Sequence, residues 1–395
     1  MNDLLIRNVR PWGGVARDIA VTNAVVSSGA PASAEVVDGG GRILLPGFSD
    51  AHVHLDSSRI GLPFRPHSTP PGPLWNQIMN DREHWRDAEA SVTERATATL
   101  GSAIAHGMTS GRSYAQVDAD CGLERLDGVL AAREAHRARV GLEIVAFPQA
   151  GLLLEPGVPA LVEEALRQGA DIVGGIDPCA LDRDPRRHLD AVFEIAERHG
   201  ADIDIHLHEP GELGAFSARE ILRRTRALDY RGRVTIAHAF CLSELDALAA
   251  GALLDEIAEL DVALTTIAPS GRAALPLAEI LGRGIRIGLG QDGQRDYWSP
   301  YGNTDMLDRA WQLAFTNGLR RDDDIEQALG VATLGGVAVS RGRSAVGPDR
   351  GVGVGSPADF VLVDAETPTS AVMDRPGGRT TIRAGRVSAE NGELR

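Results

Sequence analysis

The sequence predicts an α/β fold, namely a (β/α)8 TIM barrel joined to a small β-sandwich-like domain that is built from both ends of the chain. Apolar strand-like runs alternate with helical patterns through the middle of the chain. Short strand-like segments separated by turns occur at both ends. The length of 395 residues suits one barrel of about 250 residues with a smaller appendage. We therefore expect the small domain to comprise residues 1–45 and 343–395, and the barrel to comprise residues 46–342.

The terminal segments are short apolar runs flanked by residues that favour turns. At the amino end, residues 4–6, 18–21 and 34–37 are separated by links that contain Gly and Asn. At the carboxyl end, residues 359–363 and 380–387 have the same character. Because the two sets flank a central block, they suggest one small sheet built from both ends.

The central block contains eight strand-like runs, which is the number that the barrel needs. Helical patterns separate most of them. Residues 56–75 carry several prolines and two glycines, so we expect a long loop, and long loops in compact domains are often functional. The strand-like runs are at 43–54, 108–116, 141–148, 171–176, 201–208, 233–239, 262–268 and 285–291. The helical patterns include 88–106, 123–137, 161–168, 189–199 and 218–227.

Composition and charge exclude several classes of protein. Apolar residues make up 43% of the chain and charged residues 24%, which excludes wholesale disorder. A formal net charge of -15 disfavours a nucleic-acid partner, and no run approaches the ~18 apolar residues of a membrane span. Three cysteines are too few for a disulfide framework, so we expect a reducing, cytoplasmic setting. All 40 cations are arginine, which excludes a catalytic or metal-bridging lysine.

The strongest motif is a pair of histidines at the end of the first barrel strand. His52 and His54 are two residues apart, and side chains two apart on a strand share a face. Two neutral imidazoles on one face can both bind a divalent metal. The alternative is a pair of ordinary strand histidines, but the pair follows a Pro-Gly-x-x-Asp element at residues 46–50, which favours the metal site.

Three further strands end in residues of the same kind. His206 and His208 lie near the end of one run, where only one of them need bind a metal, and Glu209 follows them. His238 ends the next run, and Asp292 ends the last. Barrel enzymes carry their catalytic groups at the carboxyl ends of strands, so these side chains predict one site.

A glycine-rich stretch at residues 288–293 formally matches the G-x-G-x-x-G pattern of dinucleotide-binding proteins. Such a site needs a helix to begin there, so that its amino end faces the pyrophosphate. The following residues, 294–300, are a poor helix start and end in Pro300. A nicotinamide-dependent oxidoreductase is therefore the weaker interpretation.

With these motifs the chain resembles the amidohydrolase superfamily, and specifically its cytosine deaminase-like branch. Residues 144–149 resemble the family segment that carries a substrate-binding glutamine, here Gln149. Residues 75–77 and 296–302 resemble segments of its first loop and of the stretch after the catalytic aspartate. His206 and Glu209 reproduce its H-x-x-E spacing.

The resemblance implies a mononuclear metal centre. One divalent ion, Zn or Fe, would be held by His52, His54, His206 and Asp292, and the absence of lysine fits a centre with a single ion. His238 would lie beside the metal-bound water and the substrate. The implied site is therefore that of a metal-dependent hydrolase.

The chain departs from the cytosine enzymes around the pocket. Tyr114 and Gln116 replace a His and an Asp, Gly293 replaces a second aspartate after the catalytic one, and Gln291 replaces a His. These changes concern the substrate pocket and leave the metal ligands intact. We therefore expect hydrolysis of a cytosine-like heterocycle, and these changes disfavour cytosine itself more than they disfavour hydrolysis.

We accordingly expect a hydrolytic deaminase that attacks a ring carbon of a small nitrogen heterocycle and releases ammonia. Asp292 would take a proton from water, Glu209 would protonate the ring, and His238 would stabilise charge. The alternatives are cleavage of a cyclic amide or removal of an alkylamine, and an inactive ligand-binding barrel. A homo-oligomer is compatible with a barrel of this type. The residues expected to bind substrate are Gln149, Trp298, Asp296 and Tyr114.

Overall fold

The computed structural model describes residues 3–67 and 72–395, and its first five strands belong to a small sheet. These strands are β1 (Leu4–Pro11), β2 (Arg17–Thr22), β3 (Val25–Ser27), β4 (Glu35–Asp38) and β5 (Ile43–Pro46). β1 is antiparallel to β2 and parallel to β4, and β2 is antiparallel to β3. In β1, Leu4 and Ile6 are buried and Arg7 is exposed, as expected of a sheet with one covered face.

The next eight strands form the barrel, each parallel to its neighbours and in sequence order. They are β6 (Phe48–Val53), β7 (Met108–Gln116), β8 (Gly141–Phe147), β9 (Ile172–Ile176), β10 (Asp202–His206), β11 (Val234–Ala237), β12 (Ala263–Thr266) and β13 (Ile287–Leu289). Almost all of their residues are buried, because helices cover the outside and side chains fill the inside. A parallel bridge between Val53 and Asp292 connects the last strand to the first.

Twelve helices occur within the described ranges, and most of them connect successive barrel strands. They are α1 (Leu74–His84), α2 (Val92–Ala105), α3 (Glu124–Ala135), α4 (Val158–Gln168), α5 (Pro185–His199), α6 (Gly211–Ala227), α7 (Ala247–Glu259), α8 (Leu277–Gly282), α9 (Met306–Thr316), α10 (Asp322–Gly330), α11 (Gly336–Arg341) and α12 (Pro368–Asp374). A π-helical turn, Val331–Gly335, joins α10 to α11. No helix in the described part of the chain is long and apolar enough to cross a lipid bilayer.

The carboxyl-terminal strands complete the small sheet. They are β14 (Phe360–Val363), β15 (Thr380–Arg383), β16 (Arg386–Glu390) and β17 (Glu393–Leu394). β14 pairs antiparallel with β5, which gives the order β17-β16-β15-β14-β5-β1-β2-β3 with β4 beside β1. Strands from both ends therefore enclose one apolar core, to which Leu4, Val21, Leu44, Phe360 and Ile382 contribute.

A buried ion pair links this sheet to the barrel. Both terminal nitrogens of Arg379 donate to the carboxylate of Asp305, at 2.6 and 2.8 Å. Asp305 also caps α9 by accepting a hydrogen bond from the backbone N–H of Leu307. The same pair thus connects the terminal sheet to a helix of the barrel.

The predicted fold is confirmed, and each of the eight predicted runs contains a barrel strand. α4 and α6 begin earlier than the periodicity indicates, at Val158 and Gly211, because proline or glycine in their first turns interrupts the apolar pattern. The predicted loop at 56–75 contains no helix or strand before Leu74 among its described residues, and residues 68–71 lie outside them. The domain limits at 45 and 342 stay a prediction.

Candidate metal centre and active-site cavity

The seam that closes the barrel also carries three candidate metal ligands. The backbone N–H of Asp292 donates to the carbonyl of His52 at 2.8 Å, and the N–H of His54 donates to the carbonyl of Asp292 at 3.3 Å. These bonds hold the carboxyl ends of β6 and β13 side by side. The side chains of all three residues therefore emerge at the same rim of the barrel.

Three of the four predicted ligands, His52, His54 and Asp292, bring their donor atoms together. Nε2 of His54 lies 3.3 Å from Oδ1 of Asp292, and Nε2 of His52 lies 3.6 Å from the same oxygen. The donor atoms of His52, His54 and Asp292 all lie within 4.8 Å of one another. The donor atoms of His52, His206 and His238 form a second group, in which they also lie within 4.8 Å of one another. Because His52 belongs to both groups, the five side chains form one cluster.

Unpaired nitrogens in this cluster fit a divalent cation. Nε2 of His52 and both ring nitrogens of His206 and of His238 are buried and have no hydrogen-bond partner among the described residues. A buried polar atom without a partner costs free energy, so such atoms are expected where a ligand binds. Imidazole and carboxylate are ligands for zinc, iron and related ions. The donor atoms of this cluster therefore fit a divalent ion. That His52, His54, His206 and Asp292 are the four that hold it stays a prediction.

The electrostatics of the cluster suit metal binding. Burial lowers the pKa of His52 to about 4 and the pKa of His206 and of His238 well below its usual value, so these rings are neutral. Burial would raise the pKa of Asp292, but the adjacent rings of His52 and His54 hold it well below its usual value. Neutral imidazoles and an ionised carboxylate are the protonation states in which these side chains bind a metal.

A cavity of about 620 Å3 opens above this cluster. Its inner wall includes Gln149 and Asp296, and Nε2 of Gln149 is buried without a hydrogen-bond partner in the part of the chain that the structure describes. Its outer wall is largely apolar and aromatic, with side chains such as Ile267, Trp298 and Phe315. The cavity therefore combines a polar inner end with an apolar outer end, as small-molecule sites commonly do.

The sequence matches the profile of the Amidohydrolase family over residues 72–389. The chain belongs to the amidohydrolase family. It is thus a hydrolase that acts on carbon–nitrogen bonds, and the predicted family and enzyme class are confirmed.

Named relatives of this amidohydrolase include enzymes of small heterocycles. It is 28% identical over 365 residues to N-isopropylammelide isopropyl amidohydrolase of Pseudomonas sp. (strain ADP), covering 89% of this chain and 87% of the relative. The crystal structure of N-isopropylammelide isopropylaminohydrolase from Burkholderia multivorans is 40% identical, with a TM-score of 0.93 and full coverage of both chains. The structure of 5-methylcytosine deaminase from Klebsiella pneumoniae shares the fold, with 24% identity, a TM-score of 0.81 and coverage of 98% and 97%.

Tyr114 does not lie where the sequence placed it. It was expected to bind substrate, but in this amidohydrolase its side chain is fully buried beneath the metal cluster. Its ring centroid lies 4.3 Å from that of His52 and 4.5 Å from that of His206, and its hydroxyl donates to Asp204 at 3.0 Å. Tyr114 therefore supports the candidate ligands from below. It is not among the side chains that line the cavity.

Glu209 also differs from the expectation. Its Oε1 accepts hydrogen bonds from the backbone N–H groups of Cys179 and Ala180, both at 2.7 Å, and its Oε2 accepts one from the hydroxyl of Ser217. The side chain is buried and does not line the cavity. The carboxylate therefore points toward the backbone of Cys179 and Ala180, which supplies its hydrogen-bond donors, and not into the cavity.

His208 occupies the wall that Glu209 does not reach. Its Nδ1 donates to Oδ2 of Asp177 at 2.7 Å, and its ring centroid lies 4.3 Å from that of His238. Sequence reasoning left His208 without a role, although its spacing from His206 indicates a shared face. Asp177 was missed because nothing in its surrounding sequence marks it, and only the fold brings it next to His208.

Proposed function

We propose that this amidohydrolase is a metal-dependent deaminase that removes an exocyclic amino group from a small nitrogen heterocycle and releases ammonia. The unpaired histidine nitrogens and Asp292 at the inner end of the cavity support this function. An unpaired amide on the adjacent wall, Nε2 of Gln149, is suited to bind a ring oxygen or nitrogen.

A divalent ion bound at this cluster would supply a Lewis acid and would lower the pKa of a water toward ~7. Asp292 is ionised, so it accepts a proton from the attacking water. His238 is neutral, and its two ring nitrogens have no partner among the described residues, so its N–H is available to donate a hydrogen bond to the reacting oxygen. Trp298 offers a flat ring on the outer wall against which a planar heterocycle stacks.

The apolar outer wall is also compatible with a second candidate, in which the leaving group is an amine that carries a small alkyl substituent. Ile267, Trp311 and Phe315 line this part of the cavity, and Phe315 is 70% exposed. The structure that is 40% identical carries the name of an isopropylaminohydrolase. The chemistry at the inner end of the cavity is the same for both leaving groups.

The metal requirement and the leaving group are tested in one assay. Protein purified with zinc or iron, and the same protein after complete chelation, is incubated with cytosine, isoguanine, aminotriazines and their N-alkyl derivatives. We expect metal-dependent release of ammonia or of the alkylamine, measured separately. The variant His52→Ala should lose this activity, whereas His199→Ala, at an unrelated surface position, should keep it. Full activity after complete metal removal would contradict the proposal.

The proton donor to the leaving nitrogen is assigned by comparing two neighbouring residues. We expect His208→Asn to lower kcat by about 10²- to 10⁴-fold while retaining the metal, because His208 faces the cavity. Glu209→Gln should retain more turnover, because the Glu209 carboxylate is held by Cys179 and Ala180. Metal content and steady-state kinetics of both variants provide the test. The reverse order of the two effects would assign the proton transfer to Glu209.

A further inference from the structure

A buried carboxylate without a cationic partner lies on the inner wall of the cavity. Asp296 is 2% exposed, and its Oδ1 accepts hydrogen bonds from the backbone N–H groups of Trp298 and Ser299 at 2.8 and 2.9 Å. Its Oδ2 accepts one hydrogen bond, from the hydroxyl of Ser57 at 3.1 Å. No arginine or histidine side chain in the described part of the chain forms an ion pair with it. A buried charge is normally paired, so this one is available to a ligand.

The space around this carboxylate depends on a glycine next to a metal ligand. A Cβ atom at Gly293 would lie 2.0 Å from Oδ2 of Asp296 and 2.8 Å from its Cγ, which no structure tolerates without a shift. Gly293 does not adopt a positive φ, so its backbone does not require glycine. The missing side chain therefore makes room for Asp296. Because Gly293 follows Asp292 directly, this room adjoins the metal cluster.

Asp296 is held in place before any ligand binds. Ser57, which binds its carboxylate, lies in the loop after β6, and His67 of the same loop bonds to the backbone carbonyl of Asp296 at 2.7 Å. The N–H of Arg59 donates to the carbonyl of Gln294 at 3.1 Å, which ties the two loops together. An acceptor that is fixed in advance loses little entropy when a ligand binds, so it is suited to select one.

We propose that Asp296 is the specificity-determining acceptor for a ring or amine N–H group of the substrate, and that Gly293 is needed to make room for it. The assignment rests on the proposed function and narrows its substrate class to heterocycles that present an N–H donor at this wall. Two of the lone-pair positions of the carboxylate bind the backbone and one binds Ser57, which leaves one on Oδ2. A ligand with a methyl group in place of the N–H leaves that acceptor unpaired and is rejected.

Asp296→Asn tests the assignment without changing the shape of the side chain. Because Trp298 and Ser299 donate to the first oxygen, the amide nitrogen replaces Oδ2 and presents a donor where the wild type presents an acceptor. The probes are uracil and cyanuric acid with their N-methyl derivatives, and binding to the metal-loaded protein is measured by calorimetry. We expect the variant to bind the N–H probes about 10- to 100-fold more weakly and to lose discrimination against the methylated ones. Equal binding by wild type and variant, or no binding of any N–H probe to the wild type, would overturn the assignment.

A second substitution keeps the test valid if Asp296→Asn folds poorly. Gly293→Ala introduces the clashing methyl group. It should weaken binding of the N–H probes as much as Asp296→Asn does. In an Asp296→Ser background the same alanine should have little further effect, because the clashing carboxylate is gone. Gly282→Ala, where a Cβ meets nothing within 4 Å, is the matched control. Additive effects at positions 293 and 296 would show that the two residues act separately, against the proposal.

The outcomes for this inference and for the proposed function are distinguishable. Selective, Asp296-dependent binding of N–H probes without turnover of any substrate would leave the inference standing and remove the deaminase function. Turnover with the same kcat/KM in Asp296→Asn and wild type would leave the deaminase function standing and would remove the role of Asp296 in specificity.

Discussion

No cation among the described residues pairs with the buried carboxylate of Asp296, so its ionisation subtracts from the stability of the folded protein as the pH rises. Burial raises the pKa of Asp296 to about 6 from its usual 3.8. Because the folded state then binds the proton more tightly than the unfolded chain, the stability from this proton is present below about pH 4 and is lost as the pH rises through about 6.

We therefore expect Asp296→Asn to raise the free energy of unfolding of the metal-free protein at pH 8 by about 3 kcal/mol. At pH 4 the variant and the wild type should be nearly equal, since a protonated Asp resembles Asn. Urea denaturation at the two pH values measures both quantities. If Asp296→Asn raised the free energy of unfolding equally at pH 4 and pH 8, titration of Asp296 would not be the cause of the increase.

Single residues of the site differ in how far the sequence could place them. His52 and His54 lie within or directly after a strand, where alternation determines the face of each side chain. β10 ends at His206, so alternation no longer holds for His208 and Glu209, and only the local hydrogen bonds decide which of them faces the cavity. For Tyr114, alternation correctly predicts that the side chain points into the barrel. It does not predict how far below the rim the side chain lies. Depth depends on the stagger between strands, which a sequence pattern does not contain.

At the scale of secondary-structure elements, the seam between β6 and β13 determines the geometry of the metal cluster. A Cβ atom at Gly290 would lie 2.4 Å from the Cβ and from the carbonyl oxygen of His52. Gly290 does not have a positive φ, so close approach of the two strands is what requires glycine there.

We expect Gly290→Ala to separate β6 from β13 and to weaken metal binding by about 10- to 100-fold, as displaced ligand supports typically do. The dissociation constant for zinc, measured by competition with a chelator, checks this. Gly282→Ala is again the control, because no atom lies near the added methyl group. Unchanged metal affinity in Gly290→Ala would mean that the seam does not position His52.

The elements themselves were largely predictable from periodicity, and their limits were predictable where a cap residue marks them. α2 begins at Val92 rather than at 88, because Ser91 and Glu94 form a capping box. The Ser-x-x-Glu signature was present in the sequence and indicates this start. The first turn of α6 has no such signature, since Pro210 at its N-cap makes no side-chain hydrogen bond.

At the scale of the whole molecule, the ion pair between Arg379 and Asp305 connects the terminal sheet to the helix that carries the outer cavity wall. Arg379 is 2% exposed, so its charge depends on Asp305 for compensation. The pair also orients α9, which contributes Trp311 and Phe315 to the cavity.

Arg379→Gln should lower the free energy of unfolding by about 3 kcal/mol, because it leaves Asp305 without its buried partner. Arg321→Gln is the matched control, since the pair of Arg321 with Asp323 is exposed and screened by solvent and should contribute little to stability. Equilibrium denaturation in urea compares the two. A loss of equal size in both variants would contradict a special role for the buried pair.

The barrel was predictable as a whole because alternating strand and helix patterns admit few other folds. The assembly of the terminal strands into one sheet was less predictable. The pairing of β5 with β14 depends on contacts between distant parts of the chain, which local patterns do not reveal.

That distant pairing has a consequence for synthesis in the cell. Arg10 donates a hydrogen bond to the carbonyl of Glu366, 356 positions further along the chain. At translation rates of about 5–20 residues per second, the amino-terminal strands leave the ribosome roughly 20–70 s before their partners exist. During that interval their unpaired edges are open to wrong partners, so the nascent chain is a natural client for chaperones that shield exposed strands.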